Sequence, residues 1–280
     1  MTTGDADPTT DSLADTPSRN WRRPTAFGSH RIKHTIYALV VAFVGWNALQ
    51  LRVSVDRLLL GVSEGSNLLA RMLTFQGVGR HELSVIVSGT VETVAMSVVA
   101  TIVGVLVSIP IAFLAARNVS PLLSYLVGRG IITFSRAFHG LVFAIIAVKA
   151  FGFGPFAGVV TLVFTTVGFY SKLLAEELED IDEGQIDAIR ATGGSRLDVI
   201  LFGFLPQVMP RMVGLAIYRW DMNIRSASII GIVGAGGIGQ VLLTSFERFD
   251  YGFSMAIILS IILIVLAGEL ISTRLRRRIQ

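Results

Sequence analysis

Long runs of apolar residues with almost no ionisable side chain recur along the chain, at about 34–51, 84–116, 139–175, 199–218 and 251–268. Most exceed the roughly 20 residues with which an α-helix crosses a bilayer. The run at 139–175 is too long for one crossing, and "FGFGP" at 151–155 supplies a turn inside it. The pattern therefore predicts six spans, at 33–52, 84–116, 127–150, 155–176, 198–221 and 251–272. The segment between the first two, "VDRLLLGVSEGSNLLARMLTF", mixes apolar and charged positions at helical spacing. It reads as a helix lying in the membrane interface, or as an amphipathic helix packed on its own protein. The first thirty residues show no apolar period and are rich in Thr, Asp, Ser and Pro, so a disordered leader is expected there.

Composition agrees with an all-α integral membrane protein. Mean hydropathy is +0.66, 52% of residues are hydrophobic and 16% are charged. The leader carries its basic residues late, at Arg19, Arg22, Arg23, Arg31 and Lys33, which is unlike a cleavable signal, so the first span is expected to stay as an anchor. Lysine and arginine also set the orientation. The leader, the 117–136 connection, the 172–197 loop and the tail "RLRRRIQ" are basic, and six spans place both termini on the cytoplasmic side. Arg52, Arg57, Arg71 and Arg80 on the outer segment oppose this bias, with Asp56, Glu64 and Glu82 among them.

Several catalytic motifs fail on context. There is no cysteine, and His30, His34, His81 and His139 lack metal-ligand spacing, so no metal site is expected. "GVSEG" at 61–65 matches a nucleophile elbow, but no α/β sheet surrounds Ser63. None of the lysines follows a glycine, so the chain has no Walker phosphate cradle. "GIVGAGGIG" places Gly234, Gly236 and Gly239 on a dinucleotide fingerprint, yet the chain runs on into another apolar span instead of a second strand. Residues 226–243 read instead as a re-entrant or outward-facing hairpin where a substrate path closes, or as a tight packing patch of small residues. A membrane-embedded enzyme is the weakest reading, since no span pairs a nucleophile with a base.

The loop at 175–210 carries the most information. Asp182, Glu183 and Asp187 precede or open a short helix "GQIDAIRAT", Gly193 and Gly194 break it, and Arg196 and Asp198 begin the next. The result is a helix-glycine-helix elbow suited to a groove on a partner. Pro206 and Pro210 are expected to kink the following span.

"DAIRATGGSRLDVILFGFLP" resembles the E-A-A-x-x-x-G-x9-I-x-L-P loop by which permeases of ATP-binding-cassette (ABC) importers dock on their ATPase. Asp187, Ala188 and Ile189 stand at the E-A-A positions, Gly193 at the glycine, and Gly203, Leu205 and Pro206 at the I-x-L-P end. Ile189 for alanine and Gly203 for isoleucine depart from the pattern, as does Asp187 for glutamate. From about 80 to 275 the chain resembles permeases of the phosphonate importer branch, most specifically in "NIRSASIIGIVGAGGIG". A departure lies at "RAFHG", where Phe138 and His139 stand in place of a Pro-Glu bend.

The resemblance implies a type I ABC importer permease with a cytoplasmic coupling helix, in the plasma or inner membrane. Its organisation would be a leader over 1–31, a first span and outer segment over 32–83, and a permease core over 84–280 with the coupling loop at 176–206. It implies a homodimer, two cytoplasmic ATPase subunits that hold ATP and Mg²⁺, and an outer solute-binding protein that delivers a phosphonate or phosphate-like oxyanion. This chain itself would bind no cofactor and no nucleic acid. Glu183, Asp187, Ala188, Ile189, Gly193, Gly194, Arg196 and Pro206 would carry coupling. A permease for an amino acid or metal chelate, or an uncoupled channel or scaffold, are the alternatives.

Charge inside a bilayer is costly, about 2.5–3.5 kcal/mol on insertion scales, so ionisable residues inside or beside the spans mark function. They are Glu92, Arg136, Lys149, Arg219, Asp221, Arg225 and Glu269. Arg219 and Arg225 are placed to attract an oxyanion, with Asn223, Ser226 and Ser228 nearby, Glu92, Gly234, Gly236 and Gly237 completing the pathway set. The competing use of Arg219 is an ion pair with Asp221 or Glu92. Arg136 and Lys149 are expected to snorkel to opposite surfaces.

Overall fold

The computed structural model describes residues 30–50, 54–74 and 78–279, so the predicted leader lies almost entirely outside the described residues. Their secondary structure is helical: α1 His30–Gln50, α2 Val55–Met72, α3 Arg80–Ala115, α4 Leu122–Ala137, α5 Gly140–Phe151, α6 Pro155–Glu179, α7 Glu183–Ala191, a single turn α8 Arg196–Asp198, α9 Leu205–Ile230, α10 Gly237–Glu247 and α11 Tyr251–Ile279. Five helical stretches are long and apolar enough to cross a membrane, and α4 with α5 makes a sixth. The chain divides into two compact units within α2, 1–64 and 65–280.

In the first unit, α1 exposes Leu39, Val41, Phe43, Trp46 and Leu49 on all sides. A helix that is apolar all round needs a lipid or protein surround.

The second unit is organised by α3 on α6. Lipid is as apolar as leucine, so helices in it associate by close packing of small residues rather than by exclusion of water. The buried face of α3 is built accordingly, with Gly89, Thr93, Ser97, Ala100, Gly104, Ser108, Ala112 and Ala115 at three- and four-residue steps. A Cβ on Gly104 would lie 2.6–2.7 Å from the Thr166 side chain of α6. Hydroxyls on these faces bond back to the preceding turn, Thr101 to the Ser97 carbonyl at 2.6 Å and Thr166 to the Leu162 carbonyl at 2.6 Å, so they enter the apolar interior satisfied. At about 1.5 Å per residue the 36 residues of α3 extend about 54 Å, well beyond a hydrocarbon core of about 30 Å.

The predicted third span, 127–150, is not one helix. Phe138 and His139 are both extended, α4 and α5 meet at 89°, and the His139 Nδ1 accepts the Leu141 N–H at 3.3 Å. The bend that a Pro-Glu pair would make is thus present without proline. Arg136, in the last turn of α4, lays the apolar stem of its side chain beside Gly168 of α6 and is itself exposed.

The predicted fifth span, 198–221, is longer and differently jointed. Val199–Phe204 forms a π-helical turn in which the Leu205 N–H reaches the Ile200 carbonyl five residues back. One extra residue per turn is absorbed there, immediately before Pro206 in the first turn of α9, and Pro210 lies inside the same helix. At the other end, residues 226–230, expected in a hairpin, continue α9. The non-helical backbone shrinks to a 3₁₀ turn at Gly231–Val233 and a glycine turn through 236.

Three apolar clusters result, the smallest made by Ile86, Ile238 and Ile257 where α3, α10 and α11 meet. Of the larger two, one gathers Ala112, Tyr170, Leu174, Leu178, Ile186, Phe204 and Met212 beside α7, at what we call the elbow end; the other gathers Met96, Ala100, Ala147, Leu162, Ala227, Ile230 and Ala235 toward the glycine turn.

Close packing at Gly128 gives a direct test. A Cβ there would lie 2.7–2.9 Å from the Ala115 backbone, whereas nothing lies within 4 Å at Gly130 on the same helix. Gly128→Ala is expected to destabilise the protein by about 1–3 kcal/mol through overpacking. Gly130→Ala should be neutral or stabilise by up to about 1 kcal/mol, both read from thermal unfolding in detergent.

Candidate coupling elbow and buried polar cluster

The elbow is built from a short helix clamped on one face. Asp182 caps α7 through Oδ1, which accepts the Gly184 N–H at 2.9 Å. Ile186 is buried, Ile189 is half-buried, and Glu183, Asp187, Ala188 and Arg190 lie on the exposed side. The Asp187–Arg190 pair at 3.1 Å is solvent-exposed on both sides and contributes little. Gly193 ends the helix at φ +81°, a left-handed conformation that favours glycine, with its N–H on the Arg190 carbonyl at 3.0 Å.

The next turn opens with a reciprocal cap. Ser195 donates its backbone N–H to Asp198 Oδ2 at 2.8 Å and its hydroxyl to the same oxygen at 2.6 Å, while the Asp198 N–H returns to Ser195 Oγ at 3.3 Å. The hydroxyl, then the backbone N–H, hold the Asp198 carboxylate below its ordinary range. Arg196 begins α8 between them.

Two of the three departures from the family loop pattern, Ile189 and Gly203, face one another. Gly203 is buried under α7, where a Cβ would lie 3.3 Å from Ile189 Cδ1 and 3.4 Å from Ile186 Cγ1. The added bulk of Ile189 fills the space that a side chain at 203 would occupy. Gln207, which the sequence reading overlooked, staples the joint: its Oε1 accepts the Asp182 N–H at 3.0 Å and its Nε2 donates to the Gly203 carbonyl at 2.9 Å. A lone amide in "FLPQVMP" was the available signal. Glu179 anchors the base, accepting the Arg117 N–H at 2.7 Å and Arg129 Nη2 at 2.8 Å.

A second constellation lies deep in the helices. Asn223 on α9 is fully buried and donates to Thr101 Oγ1 of α3 at 2.8 Å and Thr166 Oγ1 of α6 at 3.1 Å, joining three helices. One turn away, Arg219 is 6% exposed. Its Nε donates to Thr166 Oγ1 at 3.0 Å, its Nη2 to Thr165 Oγ1 at 2.8 Å, and its guanidinium lies 5.2 Å from the Phe169 ring centroid. Thr101, Thr165 and Thr166 were not singled out from sequence.

The pairing suggested for Arg219 is overturned, because both candidate acids are engaged elsewhere. Asp221 binds Arg225, one turn along α9. Glu92 Oε1 accepts the Gly237 N–H at 3.0 Å and Thr93 Oγ1 the Ile238 N–H at 2.8 Å, so α3 caps the start of α10. Nor does Arg219 lie at the end of its span, since α9 continues eleven residues beyond it. Ser228 bonds back to the Ile224 carbonyl at 3.2 Å. Ser226 is half-buried on the last turns of the same helix.

The glycine turn is a packing device. Gly234, Gly236 and Gly237 have φ of +89°, +81° and +70°, and a Cβ on Gly236 would lie 2.7–2.8 Å from Pro155 and Glu92 Oε1. The Gly154 N–H meets the Gly234 carbonyl at 3.0 Å, tying the start of α6 to the turn. Among the described residues no βαβ unit accompanies it and no group of His, Asp and Glu is arranged to hold a metal.

Two outcomes check the elbow. Gly203→Ile alone should clash with Ile189, and Ile189→Ala alone should lose about 2 kcal/mol or less because the side chain is only half-buried. The double variant should recover most of the stability in a thermal-unfolding cycle. Because the Asp198 carboxylate titrates below its ordinary value, its contribution is present above about pH 4 and is lost as pH falls through the lower folded value. Amide protection at Ser195, corrected for intrinsic exchange, should fall in that acid window, and Asp198→Asn should remove it at neutral pH.

Comparison with known proteins accords with this arrangement. Residues 108–280 match the family described as binding-protein-dependent transport system inner membrane component. The phosphite transport system permease protein PtxC of Stutzerimonas stutzeri is 39% identical over 188 residues, 67% of this chain and 68% of that one. The phosphate-import permease protein PhnE of Mycolicibacterium smegmatis is 42% identical over 189 residues, 67% of this chain and 36% of the longer relative. An inward-facing structure of the MetNI methionine ABC transporter superposes with a TM-score of 0.62 at 20% identity, over 72% of this chain and all of that one, which is a likeness of fold. With six apolar spans, a clamped elbow and a family match over most of its length, the chain belongs to the inner membrane components of binding-protein-dependent transport systems, as an ABC importer permease.

Proposed function

We propose that this permease moves a phosphate-like oxyanion, of the phosphite, phosphate or phosphonate class, into the cell by alternating access. In this reading the elbow and both termini face the cytoplasm, and the glycine turn faces outward, where a solute-binding protein delivers the ligand. A second copy completes the permease, and two separate ATPase subunits bind ATP and Mg²⁺ and hydrolyse the nucleotide.

The observation that carries the coupling is the clamp between α7 and α9. Glu183, Asp187 and Ala188 present an exposed face to a partner, while Ile186 and Ile189 seat on Gly203 and Gln207 bridges Asp182 to the start of α9. A displacement of α7 by the ATPase is therefore delivered to the first turn of α9, a membrane-spanning helix. The weaker i to i+5 turn at Val199–Phe204 is the place where the joint can bend. The oxyanion assignment is supported by the relatives near 40% identity, which are named for phosphite transport and phosphate import.

The test is ATP-dependent uptake of labelled phosphate or phosphite into proteoliposomes holding the permease, its ATPase and its binding protein. The expected result is uptake of at least one anion, with Asp187→Arg at the elbow reducing uptake and binding-protein-stimulated ATP hydrolysis together. ATP hydrolysis without uptake of phosphate, phosphite or methylphosphonate overturns the oxyanion assignment. Full coupling in the Asp187→Arg variant overturns the role given to the exposed face of α7.

A further inference from the structure

We infer that Arg219, Thr165 and the first turn of α5 form a transit site in which this chain itself holds a small tetrahedral oxyanion partway across the membrane. The inference rests on the importer reading above and adds to it the place where the anion is bound.

Depth is the first observation. Arg219 is the fifteenth of the 26 residues of α9, and its partners Thr165 and Thr166 are the eleventh and twelfth of the 25 residues of α6. All three lie near the middle of their spans.

Charge is the second. Arg219 is 6% exposed, and among the described residues its guanidinium meets no carboxylate. Asp221 is committed to Arg225 and Glu92 to the Gly237 N–H. The hydroxyls of Thr165 and Thr166 are neutral, so they orient the guanidinium without neutralising it. A cation retained at that depth calls for an anion from outside the fold.

Donor geometry is the third. Of the five N–H donors of the guanidinium, two are used, by Nε on Thr166 and by Nη2 on Thr165. Nη1 makes no hydrogen bond among the described residues, which leaves donors of the planar fork that matches two oxygens of a tetrahedral anion.

The helix break supplies the remaining wall. Gly140 opens α5 against Thr165, where a Cβ would lie 3.3 Å from Thr165 Cγ2. The Thr165 that holds Nη2 is thus also the residue against which the positive end of a broken helix is packed. The Gly140 N–H makes no hydrogen bond among the described residues, and the Leu141 N–H has only the 3.3 Å contact to His139 Nδ1. Discontinuous helices whose N-termini face anionic groups near the bilayer midplane are an established way to bind a charged solute in transit. Phe164 stacks on Phe143 at 3.8 Å and packs edge-on to Phe138, fixing the break in place.

The experiment compares the complete transporter, with its ATPase and binding protein in proteoliposomes, for wild type, Arg219→Gln, Arg219→Lys and Thr165→Val. Uptake of labelled phosphite and phosphate and binding-protein-stimulated ATP hydrolysis are read on the same preparations. The expected result is a tenfold or greater fall in maximal uptake for Arg219→Gln with stimulated hydrolysis within twofold of wild type, partial recovery in Arg219→Lys, and a smaller fall in Thr165→Val. Uptake within twofold of wild type in Arg219→Gln overturns the site. A parallel fall of uptake, hydrolysis and thermal stability in both Arg219 variants and in Thr165→Val also overturns it, by making Arg219 a structural residue. Failure of the wild-type complex to import either anion while it hydrolyses ATP overturns the oxyanion reading and the site with it, a result distinct from a variant-specific loss.

Discussion

An apolar solvent on the outside removes the usual reason for helices to pack, and the contact between α3 and α6 is the response on which the rest of the fold rests. With no gain from excluding lipid, the two backbones must come close enough for dispersion and local hydrogen bonds to hold them. Gly104 on Thr166 and the small-residue face from Gly89 to Ala115 allow that approach. The same surface then receives α9 through Asn223 and Thr101, α10 through Glu92 and Thr93, and α4 through Gly128 on Ala115.

Breaks in the helices fall where other groups take over the freed backbone. At the bend between α4 and α5, His139 Nδ1 accepts the Leu141 N–H, and Ser135 ties the end of α4 to α6 by donating its hydroxyl to the Phe164 carbonyl at 2.7 Å. The glycine turn is met by Glu92, Thr93 and the Gly154 N–H, and the start of α7 by Gln207. Unpaired backbone in lipid is costly enough that irregular segments persist only where such partners exist.

The start and the middle of α9 have different surroundings. At the elbow its first turns are gripped by α7 through Ile189, Gly203 and Gln207, a stiff apolar and amide contact. At its middle it carries Arg219 and Asn223, bound to hydroxyls on α3 and α6. One helix therefore runs from the clamped elbow to the buried polar cluster of Arg219 and Asn223.

The apolar runs by themselves determined that this is an all-α membrane protein with about six spans, because a bilayer imposes length and composition on anything that crosses it. The elbow from Asp182 to Gly194 was legible for a similar reason: a capping aspartate and a glycine at a left-handed position are local requirements written in single residues. What the sequence left open were contacts between residues far apart in the chain. The 89° break at Phe138–His139, the extension of α9 to Ile230, the pairing of Ile189 with Gly203, and the use of Glu92 as a helix cap each depend on which face meets which neighbour. Arg219 is the clearest case. Its charge was visible at once, but whether it pairs with Asp221, with Glu92 or with neither is decided by helix rotation and depth, and only packing in three dimensions sets those.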